Sequence, residues 1–245
     1  MKPNLLLLSG WAALALPSHS AVLASTSFEN EVDGGFYTDT DVTSHDLVNS
    51  GGTVTDDGTV DSTGSSTSAG DLSFDAAFVS TGPGSGFSDG DFVGVTGFTG
   101  TVGSFTDGSQ GYQMSDTDGQ MVLTFGTVDI SGESNVQVSL DYFITSTGWE
   151  TSDSFIISVV TNEGLLSILD TTGSDIDDLG IQGAWINGSI AVPDSASSVY
   201  LTVALESNSS AEGIYLDNVV IQTVPEPSAV ILGGLGMMAF LRRRR

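Results

Sequence analysis

The sequence of 245 residues has no cysteine, and from Ser25 to Val224 it has no lysine and no arginine. The first absence removes disulfides, thiol nucleophiles and thiolate metal sites together. The second has wider consequences. Thirty of the 31 acidic residues, all but Glu226, lie in that same stretch, which therefore carries a formal charge of about −30 with His45 as its only candidate side-chain cation. A surface without cations cannot neutralise phosphates, so nucleic-acid binding is excluded, and anionic membrane surfaces repel it as well. Intramolecular salt bridges are equally out of reach. The acids must be screened by solvent salt or by bound divalent cations, and outside a cell calcium is the natural one. The stretch also lacks any segment of convincing 3.6-residue period, which removes amphipathic helices from its expected architecture.

What basic charge there is sits at the two ends. At the start, Lys2, the apolar run Leu5 to Leu16, and Val22-Leu23-Ala24 before Ser25 form the three regions of a secretory signal peptide over residues 1–24, with cleavage expected after Ala24. Export of this kind brings in the Sec translocon and signal peptidase as partners. At the other end, Pro225-Glu226-Pro227 precedes the apolar stretch Ala229 to Leu241, and Arg242, Arg243, Arg244 and Arg245 follow. Each proline fixes its own φ and biases the residue before it toward extended geometry, which suits a peptide held in an enzyme cleft. Ser228 to Leu241 is 14 residues, roughly 21 Å as a helix, against about 20 residues for a comfortable bilayer span. Such a segment suits a transient transmembrane helix, with the arginines held on the cytoplasmic side. This order closely resembles the PEP-CTERM sorting signal, here over residues 224–245. The resemblance implies processing near the motif by an exosortase-type membrane transpeptidase of a Gram-negative-type bacterium. It also implies a connection with exopolysaccharide and biofilm production.

Between the ends, residues 25–223 alternate with a period of two. In Val136 to Thr145 the even positions are apolar and the odd ones mostly polar, the pattern of a strand with one buried face. Val199, Leu201, Val203 and Leu205 repeat it. So do Met121, Leu123 and Phe125; Phe155, Ile157 and Val159; Ile190 with Val192; and the last run, Ile214 to Ile221. Earlier candidates are Thr53 to Val60, Phe74 to Val79 and Asp91 to Phe98, separated by Gly/Ser/Thr/Asp-rich loop such as Ser62 to Gly70. Asp107-Gly108, Asp118-Gly119, Ser131-Gly132, Asn162-Glu163-Gly164 and Asn187-Gly188 read as turns. The expected fold is an all-β antiparallel sandwich, jelly-roll-like, in one domain.

Ser27-Phe28-Glu29-Asn30 and Ile214-Tyr215-Leu216-Asp217-Asn218-Val219 are similar to the first and last strands of carbohydrate-binding-module-like jelly rolls. The resemblance implies that the terminal strands lie side by side and share a structural calcium, with Glu29 and Asp217 among its ligands. Three further acidic groups are candidate calcium loops. Asp116-Thr117-Asp118-Gly119 has alternate-acid spacing without the closing acid of an EF-hand and reads either as half a site or as a simple turn. Glu150 with Asp153, and Asp175-Ile176-Asp177-Asp178, read either as ligands or as solvated loops.

A sugar site needs an aromatic platform. Of Trp149, Trp185, Tyr37 and Tyr112, Trp149 after Gly148 is the best placed, while Trp185 and Tyr112 lie in strand-like runs. Catalysis has few residues to draw on. A Ser-His-Asp triad would have to use His45, no His-Glu-x-x-His occurs, and any glycosidase pair among so many acids is arbitrary. The expectation is an exported, non-enzymatic protein of the cell surface or extracellular matrix, structural or exopolysaccharide-associated. A carbohydrate-binding module with its site near Trp149 is the alternative, and a glycan hydrolase the second alternative.

Overall fold

A computed structural model describes residues 20–29, 45–47, 72–79 and 92–225, and for 45–47 the backbone only. It is a two-sheet antiparallel sandwich whose strands, in chain order, are β1 (Ala21–Thr26), β2 (His45–Leu47), β3 (Phe74–Val79), β4 (Phe92–Thr96), β5 (Gly111–Ser115), β6 (Gln120–Phe125), β7 (Val128–Asp129), β8 (Val136–Ile144), β9 (Ser154–Thr161), β10 (Gly164–Asp170), β11 (Ile186–Ala191), β12 (Ser198–Glu206) and β13 (Gly213–Thr223). One sheet runs β11-β8-β13-β5-β4 with β1 also on β13; the other runs β10-β9-β12-β6-β3-β2 with β7 on β12. A single 3₁₀ turn, Ile176–Leu179, is the helical element among the described residues.

The alternation seen in sequence sets the two faces. Along β12, buried and half-buried residues strictly alternate, and Val199, Leu201, Val203 and Leu205 enter the core against Val136, Val138 and Leu140 of β8 in the same cluster. One end of that core is aromatic: Phe28, Phe74, Tyr112 and Phe125 pack with ring centroids 5.3 to 6.4 Å apart. On the opposite face of the first sheet, Phe143 and Tyr215 form a second small cluster with Val102 and Phe105, against which Trp185 packs. The Trp185 indole N–H donates to Ser104 O at 2.8 Å, so the loop before β5 is tied down over that face.

One expectation changes here, and a second meets the first strand. Asn187-Gly188 is not a turn but the middle of β11, where Gly188 admits the close approach of Ile168 and Tyr142, and Asn187 Nδ2 donates to Asp141 at 2.7 Å. Ala21 to Ala24, read as the end of a leader, belongs to β1; Ala24 is buried, and the strand pairs with the last strand from Ala21↔Thr223 to Thr26↔Val219. Cleavage after Ala24 would remove more than half of that strand. The Thr53 to Val60 candidate, Tyr37, the rest of the leader and residues 226–245 lie outside the described residues.

Candidate functional site

The sandwich uses its acids in two built arrangements. The first lies where β13 changes partner. Gly213 to Leu216 pair with β5 and Val219 to Thr223 with β1, leaving Asp217 and Asn218 between, at a bulge where Asn218 has φ +48°. The buried Asp217 carboxylate fills that gap by accepting from the segment before β5: Oδ2 takes Thr106 N at 2.7 Å, Thr106 Oγ1 at 2.9 Å and Asp107 N at 2.8 Å, and Oδ1 takes Asn218 N at 2.7 Å. Glu29, just past β1, grips the next residues of the same segment, with Oε1 accepting Ser109 N at 2.6 Å and Gln110 N at 2.7 Å, and Oε2 accepting Ser109 Oγ at 2.9 Å. Gly108, φ +81°, is required between them because a Cβ there would strike the Glu29 carboxyl. Burial pushes Asp217 up despite its donors; burial also acts upward on Glu29, but the Ser109 and Gln110 donors outweigh it and lower that group.

Glu29 and Asp217 are thus brought to one loop, and the terminal strands do lie side by side. What the carboxylates hold, however, is seven donated hydrogens of the protein itself. Oδ2 of Asp217 alone accepts three of them.

The second arrangement lies at the end of the sandwich where β5, β8 and β12 finish. Carboxylate oxygens of Glu150, Asp153 and Glu212 all lie within 4.8 Å of one another. Asp153 is 1% exposed and Glu212 2%, whereas Glu150 is exposed. Both acid-bearing loops are pinned. Glu150 N donates to Asp153 Oδ2 at 2.6 Å, and Asn208 N to Glu212 Oε2 at 3.3 Å. Thr145 joins the loops, donating from its hydroxyl to Ala211 O at 2.9 Å and accepting Gly213 N at 3.0 Å. Asp153 also borders a cavity of about 120 Å³ lined by Asp118, Gly119, Ser152, Glu206, Ser207 and Asn208. Burial, then the surrounding carboxylates, push Asp153 up to about 6 and Glu212 up to about 7.

Two groups that the sequence presented separately, Asp116 to Gly119 and Glu150 with Asp153, therefore meet at one end. Asp116 is buried, and Asp116 and Asp118 both have left-handed φ, +54° and +46°. Asp118 N donates to Ser207 O at 2.9 Å and Ser207 N to Thr117 Oγ1 at 3.2 Å, which docks the β5–β6 turn on the β12–β13 loop. Glu206 and Glu212 had no spacing signal; only the antiparallel register delivers them. Asp175 to Asp178 does something else: Asp175 caps the 3₁₀ turn by accepting Asp177 N, and Asp177 accepts Gln182 Nε2 at 2.6 Å.

Trp149 is not a sugar platform. The residue is 3% exposed within the main core, and its indole N–H donates to Thr145 O at 3.0 Å. The turn that isolates it in sequence in fact folds it inward. A Gly-x-Ser-x-Gly spacing occurs at Gly86 to Gly90, and like the side chain of His45 it lies outside the described residues.

At the opposite end the chain leaves the sandwich with no spacer. Val224 N still donates to Asn135 O at 2.9 Å, and Pro225 is exposed. Residues 223–245 match the PEP-CTERM protein-sorting motif. The tail is a PEP-CTERM sorting signal. It implies export and processing at a membrane by an exosortase. Glu226, Pro227 and Arg242 to Arg245 of the signal lie outside the described residues, as does the expected transmembrane segment; among the described residues no helix is long and apolar enough to cross a membrane.

No curated protein matches the sequence. Similar solved structures include TmCBM61 in complex with β-1,4-galactotriose, at 14% identity over 55% of this chain and 82% of that one, TM-score 0.39. The C-terminal family 22 carbohydrate-binding module of Clostridium thermocellum Xyn10B is similar at 13% identity over 54% and 82%, TM-score 0.34. The K3 cleaved adhesin domain of Lys-gingipain from Porphyromonas gingivalis W83 is similar at 13% over 84% and 100%, TM-score 0.33. Likeness at this level carries nothing about ligand or role.

Proposed function

We propose that this chain is an exported, non-enzymatic β-sandwich, delivered by its sorting signal to the cell surface or extracellular matrix as a structural or exopolysaccharide-associated component. The observation that carries the reading is the sorting motif, which begins on the last residue of β13. The folded body is thereby joined directly to the processed segment. The Sec translocon and signal peptidase act first on such a chain and an exosortase last. A body of about −30 formal charge without lysine or arginine suits a hydrated, cation-rich matrix and repels nucleic acid.

The test is fractionation of the host. Intact protein is expected in the envelope or matrix fraction, co-sedimenting with the host exopolysaccharide. A chain ending at Val224 is expected in the culture medium. Unchanged distribution of the truncated chain would overturn the sorting role; turnover of a polysaccharide by the purified protein would overturn the non-enzymatic one.

A further inference from the structure

We propose that the loop end built by Glu150, Asp153 and Glu212, with Asp118, Glu206 and Ser207 at its edge, is a divalent-cation site of the calcium type. Three carboxylates within 4.8 Å of one another, two of them almost fully buried, need positive charge, and no lysine or arginine lies between residues 25 and 224 to supply it. Among the described residues the positive charge has to come from protons or from a metal ion.

A second observation points to a ligand rather than to protons alone. Ser207 lines the cavity that Asp153 borders, is 2% exposed, and its Oγ has no hydrogen-bond partner. The backbone of Ser207 is fully used, its N–H by Thr117 and its carbonyl by Asp118 N, so the hydroxyl alone remains unsatisfied beside the acids. Buried hydroxyls are seldom left so, because the lost hydration costs about 1–3 kcal/mol. A cation, bound directly or through its waters, would satisfy the hydroxyl and the carboxylates at once.

The donor set selects the ion. Carboxylates, a hydroxyl and the Asn208 side chain are all hard oxygen or amide donors, and neither sulfur nor imidazole is present to favour zinc or copper. Several protein carboxylates on two separate loops suit the six to eight flexible ligands of calcium better than the water-rich octahedron of magnesium. Glu150 and Asp153 precede β9, and Glu212 precedes β13. A bound ion would cross-link strands of opposite sheets.

The test uses the full chain in detergent, stripped with chelator and titrated with calcium chloride at pH 7.5. Saturable binding and a raised melting temperature are expected, with a weaker response to magnesium. Asp153→Asn and Glu212→Gln should each weaken calcium binding at least about tenfold, roughly what one lost charged ligand removes. Because each also relieves carboxylate crowding, their metal-free melting temperatures should be equal to wild type or higher. Ser207→Ala should weaken calcium several-fold without lowering the metal-free melting temperature. Glu150→Gln, at the exposed acid, carries the same test should a buried variant fail to fold. Glu29→Gln should leave calcium affinity within about twofold of wild type. No calcium response in the wild type overturns the site. So does a response that survives the cluster variants, or one that Glu29→Gln alone removes.

Discussion

Replacing Asp217 by Ala isolates the clasp that closes the gap between β1 and β5. Four donors, Thr106 N, Thr106 Oγ1, Asp107 N and Asn218 N, lose their buried acceptor in part-buried contacts. At about 1 kcal/mol for each donor left unsatisfied, and with partial relief from water entering the vacated space, a loss of about 3 kcal/mol is expected. For a chain of this size that is a fall of roughly 6–12 °C in melting temperature. The assay is thermal and urea unfolding by circular dichroism in chelator, which removes any contribution from metal, together with hydrogen exchange at single residues. The amides of Thr106 and Asp107 should lose protection selectively, while core amides of β12 lose only what the global destabilisation dictates. A loss below about 1 kcal/mol, or unchanged exchange at Thr106 and Asp107, would refute the clasp.

Further outcomes follow from the same geometry. Asp153 and Glu212 are raised to about 6 and about 7, so the folded state holds protons that the unfolded chain has released, and metal-free stability should fall as pH rises from about 4 to about 7. The two groups titrate together, so their contributions are shared rather than summed; chelated melts at pH 5 and 8 check this, and equal stability at both would contradict it. Sequencing of the exported protein should place its first residue at or before Ala21, since β1 begins there and Ala24 is buried; a start at Ser25 would show that the sandwich dispenses with that half of β1. Mass spectrometry should find the processed C-terminus between Pro225 and Ser228, and recovery of mature protein retaining Arg245 would show an uncleaved anchor.

How much of this was legible in sequence depends on which interactions are local. Strands with one buried face, such as β8 and β12, announce themselves because burial alternates along the chain itself. β10 does not. It is an edge strand with Leu165 65% exposed and only weak alternation, so its strand character comes from pairing with β9 across the Thr161↔Gly164 turn. β1 was obscured for another reason: a run of small and apolar residues serves equally as the end of a leader and as a strand laid on β13. Trp149 shows the same limit at one residue. Its flanking Gly148 and Glu150 mark a loop, but only tertiary packing tells whether a loop tryptophan points out or in. The acids divide likewise. Their abundance was plain, but grouping Asp153 with Glu212 requires β8, β9, β12 and β13 to finish or start at one level of the sandwich.

That common level fixes how the two functional ends of the molecule are arranged. β13 begins directly after Glu212 and runs to Thr223, where Ala21 N donates to Thr223 Oγ1 at 3.1 Å. Both ends of the body therefore emerge side by side at the end of β13 away from the acids. Eleven strand residues at about 3.3 Å each put roughly 35 Å between the first residue of the sorting signal and the acidic loops. That is several times the Debye length of about 8 Å at physiological salt, so a membrane that holds the tail exerts little field on the cluster. Anionic lipid at the tail end can neither compete for a cation at Glu150, Asp153 and Glu212 nor concentrate one there. Cation binding should thus be the same before and after the tail is cut. Calcium affinity measured on the full chain in anionic vesicles and on the processed protein should agree within about twofold; a larger difference would mean that the body lies flat on the membrane rather than standing on its tail end.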